Sequence, residues 1–399
     1  MIETIISTTA IGIAFIFLCV SLFATIECLA GTPEPRKRTR LPVPRPRLAI
    51  LVAAHNEEDQ ISDAVSSIRA QMTTTDRLLV VADNCDDNTA AKAVEAGARV
   101  VERIDHDRRG KGYAIDAGLK FLAADPPEVL VVIDADCWLE PGTLDELAGA
   151  CWSSQRPVQS RYLMLAPGTD NIKLAVSQFA FLVKNRVRAL GLFRLGLPVQ
   201  LNGSGMAFPW SVISKADLAT GDLVEDLRLG LELAQAGHAP TFCDKAVVKS
   251  YFPSSQKGQE SQATRWASGR FAMTSSLFSA LIRPATYVNG RFLVLVLDAL
   301  VPPLSLLIAL LVFGLAATGA LAVTGITTLP FVLCAAGSVA FATSLSIAWW
   351  VHGRDILPFS KLIGIPGFIV HKLSNYPRQM LAAHRLTWVR TDRKRPSGV

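Results

Sequence analysis

The sequence predicts an α/β domain on a mostly parallel sheet, held to a membrane by about three apolar helices, one before it and two after. Three observations carry that expectation. Strand-like apolar runs alternate with helix-like patterns from Arg47 to Ile133, polar residues gather where those runs end, and three nearly charge-free stretches are each long enough to cross a bilayer. Half of the 399 residues are hydrophobic, so a sizeable core is available beside the spans.

The first apolar stretch runs from Ile2 to Ala30. No basic residue precedes it and it is longer than a secretory leader, so an uncleaved anchor is expected. Arg36, Lys37, Arg38, Arg40, Arg45 and Arg47 follow directly, and the linker between the later stretches, Phe292 to Val323 and Leu329 to Val351, is uncharged. Positive-inside sorting then puts the central region in the cytoplasm, with the basic tail of Arg390, Arg393, Lys394 and Arg395 on the same side. The apolar piece Ile356 to Val370 is broken by Pro358, Lys361, Gly364, Pro366 and Gly367, and reads as interfacial. Asp298 falls inside the second stretch, near its cytoplasmic end, an expensive place for an acid.

Between the anchor and the domain, Pro33 to Pro46 is a proline- and arginine-rich extended linker. Strands are expected at Leu48 to Ala53, Arg77 to Ala82, Ala98 to Glu102 and Val129 to Ile133, and helices at Glu57 to Gln71 and Asn88 to Ala96. The expected organisation is therefore an anchor (1–32), a linker (33–46), a cytoplasmic catalytic domain with interfacial helices (47–290), two spans (291–352), and an interfacial segment with a basic tail (353–399).

Composition excludes several classes. Most of the +6 net charge flanks the membrane stretches, which suits anionic lipid headgroups and argues against a nucleic-acid partner. Seven cysteines, with no C-x-x-C pair, fit neither a disulfide framework nor a structural zinc site; Cys19, Cys28 and Cys334 fall in the spans. No nucleophilic Ser, Cys or His constellation is visible.

In open α/β sheets ligands bind beyond the carboxyl ends of the strands, and the polar residues cluster there. Strand one ends in His55-Asn56-Glu57-Glu58, strand two in Asp83-Asn84-Cys85-Asp86-Asp87, and the strand at Val129 in Asp134-Ala135-Asp136. Two carboxylates leaving one strand end suit a hard cation such as Mg or Mn, although turn and capping acids give the same pattern. Gly110-Lys111-Gly112 joins flexible backbone to a cation that can meet a diphosphate, or is a solvated turn; it lacks the P-loop spacing. Glu225 and Asp226 open the helical pattern Leu227 to Ala236, where an acid serves equally as a cap or as a base aimed into a pocket. Gln262, Arg265 and Trp266 share one helical face, either as an interfacial anchor or as a clamp on a diphosphate and a sugar.

Taken in order, Asp83, Asp134-Ala135-Asp136, Glu225-Asp226 and Q-x-x-R-W at Gln262 to Trp266 resemble the signature of glycosyltransferase family 2, the group of the cellulose, chitin and hyaluronan synthases. The resemblance covers about Arg47 to Arg270. It implies a GT-A fold, a nucleotide-sugar donor, most often a UDP-sugar, and inversion at the anomeric carbon. By position it implies that Glu57 and Asp83 contact the nucleoside, that Lys111 and Asp134 contact the donor, and that Asp136 holds Mg or Mn. Asp226 matches the general base, Gln262, Arg265 and Trp266 the motif that closes over the diphosphate and acceptor, and Gly203, Ser204 and Gly205 the loop lining the acceptor site. Ala53, Ala54 and Ala82 stand where the family often has proline or a second acid, and Val224 where cellulose synthases have threonine.

The overall resemblance is to bacterial exopolysaccharide transferases, which places the protein in the inner membrane. Three spans are few to enclose a channel for a polar chain. The expected acceptor is thus a lipid-linked or growing glycan, with a processive synthase working as a homo-oligomer, or assembly with polysaccharide-export proteins, as the alternative. A nucleotidyltransferase would share the sheet and the acidic site but not Q-x-x-R-W or the spans. A silent scaffold would leave the convergence of acids at several strand ends without a purpose.

Overall fold

The computed structural model describes residues 1–34, 45–168, 171–370 and 374. Arg36, Lys37, Arg38 and Arg40, most of the linker, and the basic tail lie outside the described residues.

Eight strands, β1 (Leu48–Ala54), β2 (Arg77–Asp83), β3 (Arg99–Arg103), β4 (Val129–Asp134), β5 (Trp138–Leu139), β6 (Val158–Leu165), β7 (Met206–Pro209) and β8 (Thr241–Tyr251), form one sheet in the order β3-β2-β1-β4-β7-β6-β8-β5. The helices are α1 (Ile2–Gly31), α2 (Ile61–Arg69), α3 (Thr89–Glu95), α4 (Lys111–Leu122), α5 (Thr143–Ser154), α6 (Ile172–Leu182), α7 (Ala189–Arg194), α8 (Trp210–Ile213), α9 (Glu225–Gln235), α10 (Gln256–Leu281), α11 (Pro284–Val288), α12 (Gly290–Leu300), α13 (Leu304–Val323) and α14 (Leu329–Ala348). β1 to β4 pair in parallel, β7 runs antiparallel to both β4 and β6, and β8 lies parallel to β6. The sheet is therefore mixed and mostly parallel, as the alternation predicts. β1 and β4 are continuous apolar runs because helices cover both faces of a parallel sheet.

The described residues fall into two compact units. One holds residues 45–168 and 197–298, the other 1–34, 171–196 and 299–370. The contiguous domain expected over 47–290 is thus interrupted. Between β6 and β7 the chain leaves the sheet as α6 and α7, joined by a π-helical turn at Val183–Arg188, and these belong with the membrane helices. The core of the sheet unit joins β-strand residues Leu51, Leu79, Val132 and Phe208 to Leu119 of α4 and to Leu229 and Leu233 of α9.

In the second unit three helices are long and apolar enough to cross a membrane: Ile2–Gly31, Leu304–Val323 and Leu329–Gly353. The second starts twelve residues later than the Phe292 expected, because Pro302 and Pro303 supply no amide hydrogens and break the helix there. The residues before that break form α12, so Asp298 is outside the span; it is 6% exposed and accepts a hydrogen bond of 2.6 Å from Gln200 Nε2. Segment 183–194 lies backbone to backbone on α1. A side chain at Gly31 would strike the Val187 carbonyl, and one at Gly191 the Glu27 carbonyl. Arg188 Nε pairs with the buried Glu27 at 2.5 Å, and Arg194 donates at 2.8 Å to the carbonyls of Ala30 and Pro33, which the end of α1 leaves unpaired. His352 Nε2 donates to the Thr32 carbonyl at 2.7 Å. The interfacial piece expected over Ile356 to Val370 holds a short apolar helical segment, Phe359–Val370, too short to be counted a span.

Candidate active site

A pocket opens beyond the carboxyl ends of β1, β2 and β4, lined by Ala53 to His55, Glu57, Asp83, Asn84, Arg109 to Lys111, Ala114, Asp134 to Asp136 and Arg265. The loops that form it are turned by asparagine. Asn56 and Asn84 sit at φ 55° and 50°, the left-handed region that asparagine tolerates, so the chain reverses directly after β1 and β2. Asn56 Oδ1 accepts from the Asp86 amide and Asn84 Oδ1 from that of Asp105, which ties neighbouring loops together. His55 Nδ1 donates to the Asp83 carbonyl at 2.6 Å.

Asp83 is buried and accepts from Arg103 Nη1 at 2.5 Å and from Asn84 Nδ2 at 3.1 Å. Glu57 lines the same end of the pocket, its amide donating to Thr89 Oγ1. At the other end, Lys111 is the first residue of α4, and its Nζ forms an ion pair with Asp134, donates to the Gly203 carbonyl at 2.6 Å and lies 3.8 Å from Glu225. Burial alone lowers an ammonium, but the carboxylates of Asp134, Glu225 and Asp226 outweigh it and hold Lys111 above the usual lysine range. Burial pushes the neighbouring Glu225 up to about 7, against the pull of Lys111.

Glu225 and Asp226 form the first turn of α9. A Cβ placed on Gly203 would lie 3.4 Å from Asp226 Oδ2, 3.6 Å from Lys111 Nζ and 4.0 Å from Asp134 Oδ2, so three charged groups converge on that glycine backbone. Ser204 and Gly205 lie behind it. Ser204 is fully buried and its hydroxyl accepts from the Asp134 amide, while Gly205, at φ 68°, packs against Ser160 and Val248. They build the floor of the loop, and the buried Gly203 backbone is the part that faces the charged groups.

The Q-x-x-R-W residues lie on α10. Arg265 lines the pocket, Trp266 is 37% exposed, and Gln262 is 2% exposed, its Nε2 buried without a hydrogen-bond partner among the described residues. An unmet buried donor at this position suits an oxygen-rich ligand.

Asp134, Asp136 and Cys137 bring one ligand atom each to within 4.8 Å of one another. Cys137 is buried, and its sulfur is in contact with Ser204 Oγ at 3.3 Å. A hard divalent cation prefers oxygen, so the carboxylates of Asp134 and Asp136 are the atoms of this cluster suited to Mg or Mn, and Asp134 also pairs with Lys111. One carboxylate with donor phosphate and waters completing the sphere is how such ions are commonly bound.

Sequence reading missed the close approaches that shape the site. A Cβ at Gly112 would sit 2.5 Å from the Leu218 carbonyl and 2.7 Å from that of Thr220, so the glycine admits segment 218–221 against the start of α4. The glycines beside Lys111 therefore serve contact with the protein itself. At Gly269 of α10 a Cβ would meet Val224 Cγ1 at 2.7 Å, so that glycine lets α10 rest on the residues just ahead of Glu225. Arg109 and Asn84 of the lining were also not singled out for the site.

A family model described as "Glycosyltransferase like family 2" matches residues 44–269. Uncharacterized glycosyltransferases of Mycobacterium bovis and Mycobacterium tuberculosis are each 36% identical to this chain over 100 residues. That match covers 25% of this chain and 41% of each relative, so it spans less than half their length. Among solved structures, the mannosyltransferase PcManGT of Pyrobaculum calidifontis, in complex with GDP-Man and Mn2+, superposes with a TM-score of 0.54 at 17% identity, covering 85% of this chain and 99% of that one. At that identity the likeness is one of fold.

Proposed function

The chain belongs to glycosyltransferase family 2 and has the GT-A fold, and from that premise we propose that it transfers a sugar, with inversion, from a nucleotide-sugar to a lipid-linked or growing glycan acceptor. The convergence of Asp134, Glu225 and Asp226 on Lys111 and Gly203, at the mouth of a pocket walled by Asp83, Glu57 and Arg265, is the observation that carries this reading. In it, Glu57 and Asp83 hold the nucleoside, Lys111 and Asp134 the donor, and Arg265 and Gln262 the diphosphate. Trp266 offers a flat face to the sugar and acceptor, and the Gly203 to Gly205 loop borders the acceptor hydroxyl. Asp226 takes the proton of that hydroxyl as its oxygen attacks the anomeric carbon and the nucleoside diphosphate leaves. Lys111 and Arg265 compensate the negative charge that grows on the leaving group. Asp136 would hold a divalent cation, whose chemistry when bound would be Lewis-acid stabilisation of that diphosphate.

The three apolar helices support a membrane-bound enzyme, and the basic residues after α1 support a cytoplasmic transferase domain at the bacterial inner membrane. The acceptor is then presented at the bilayer surface during exopolysaccharide or envelope assembly. A UDP-sugar is the donor we favour; GDP-mannose belongs in the same panel because PcManGT was solved with GDP-Man. The test is release of nucleoside diphosphate and transfer to lipid extract by detergent-purified protein, with Mg or Mn and with chelator. Metal-dependent turnover of one donor identifies the sugar. No turnover with any donor, and no binding of UDP or GDP, removes the proposal.

A further inference from the structure

α12, the helix between the sheet unit and the first C-terminal span, makes two polar contacts that the reaction scheme does not use. At its start Asn289 Oδ1 caps the helix by accepting the Phe292 amide at 3.0 Å, while Asn289 Nδ2 donates to the Ala234 carbonyl at 2.9 Å, in the last turn of α9. Near its end Asp298, 6% exposed, accepts from Gln200 Nε2 at 2.6 Å; Gln200 is itself 8% exposed. α9 begins with Glu225 and Asp226, and Gln200 lies three residues before Gly203. One helix thus holds the far end of the helix that opens with Asp226 and the root of the loop that Asp226 faces.

Among the described residues the loop is also braced from behind, from the donor side and from α9. Gln159, fully buried, accepts the Asn202 amide at 2.8 Å and donates to the Ser204 carbonyl at 2.9 Å. Lys111 takes the Gly203 carbonyl. Leu201, between these polar ties, packs on Gly230 of α9 at 3.5 Å from an added Cβ. An acid is a costly choice for a buried position unless its hydrogen bonds are needed, and a charge-assisted bond is stronger than a neutral one.

We propose that α12 is a strut and that Asp298 is a positioning residue: through Gln200 it fixes the Gly203 loop against α9, so that the acceptor side of the site is set by the helix leading into the membrane. The inference rests on the transferase reading for its consequence, but its structural claim is independent of it. Asp298 is not among the residues that line the pocket, so donor binding is expected to be independent of it.

The test uses the full chain in detergent, comparing Asp298→Ala and Asp298→Asn with the wild type. Hydrogen exchange of backbone amides in 200–206 is expected to rise about ten-fold or more in the alanine variant, the effect of losing a buried hydrogen bond to a charged group. Exchange in β1, β2 and β4 stays unchanged, and affinity for UDP or GDP with Mn2+, followed by tryptophan fluorescence, stays within about two-fold. The asparagine variant keeps an acceptor for Gln200 and restores most of the protection. Unchanged exchange in the alanine variant, a rise spread equally over all strands, or an asparagine variant as exposed as alanine overturns the strut. A wild-type protein that binds neither nucleotide strikes at the transferase reading instead, and leaves the exchange result standing.

Discussion

The two sides of the pocket are made in different ways. At the Asp83 end each strand ends in its own acids, and the loops are short, turned by Asn56 and Asn84 and tied to neighbouring loops by hydrogen bonds. At the Gly203 end the parts are not neighbours in sequence. The Gly203 loop, the start of α9 and the Q-x-x-R-W helix are spread over some 60 residues of chain, and the close approaches run through Gly112 and Gly269, where a methyl group would strike a neighbour, and through Gly203, where it would touch Asp226 and Lys111. The first side follows from the sheet, and the second from the absence of side chains.

Substitutions can break that contrast, and the largest effect is expected at the chemistry. Asp226→Asn should lower transfer by on the order of a hundred- to ten-thousand-fold, the usual worth of a general base, with nucleotide affinity retained. A transfer assay paired with nucleotide binding checks it, and near-normal turnover removes the assignment. Next comes the metal. Chelator should abolish donor turnover, and Asp136→Asn should raise the Mn2+ needed for half-maximal rate by more than the roughly 10–100-fold that altering an outer-shell partner costs. A metal titration showing no shift would take Asp136 out of the site.

Backbone crowding should give a smaller change. Gly112→Ala forces a methyl against two carbonyls of segment 218–221 and should destabilise the sheet unit by about 1–3 kcal/mol, the range for overpacking. Gly142→Ala, whose Cβ meets nothing within 4 Å but sits at φ 81°, separates the cost of strain from that of contact. A thermal melt in which the two variants move equally would show that approach at Gly112 is not the cause.

The smallest effect is one of pH. Glu225 keeps its proton to about pH 7 in the folded protein, whereas the ordinary value is 4.5. The folded state then holds more protons than the unfolded between those values, so stability from this group is full below pH 4.5 and declines as pH rises to about 7. Glu225→Gln should flatten that decline, so the difference in melting temperature between variant and wild type should grow from pH 5 to pH 7. A constant difference would show that Glu225 is ionised throughout.

The same contrast explains what the sequence made legible. The strands, their parallel order and the acids at Asp83, Asp134 and Asp136 are readable because apolar runs and strand ends are local signals. Three apolar helices were readable for the same reason, yet Phe292 was joined to the second of them because hydropathy does not register that Pro302 and Pro303 end a helix. Asp298 was therefore put in the membrane when it answers Gln200, a residue 98 positions away. Gly205 also admits the protein's own Ser160 and Val248, an approach that small residues in a loop do not announce in sequence. Gly269 gave no signal at all, since a glycine inside a helix announces weakness and not what rests on it.

The backbone contact of Gly31 and Gly191 bears on how the protein is made. Ribosomes deliver α1 first, and the chain reaches segment 183–194 after β6 and before β7. The buried residues Val183, Asn185, Val187 and Leu192 of that segment belong with α1 in one compact unit. A truncated chain begun at β1 would therefore carry an uncovered helical face in the middle of its sequence. Such a chain is expected to aggregate, and α1 belongs in any protein prepared for assay.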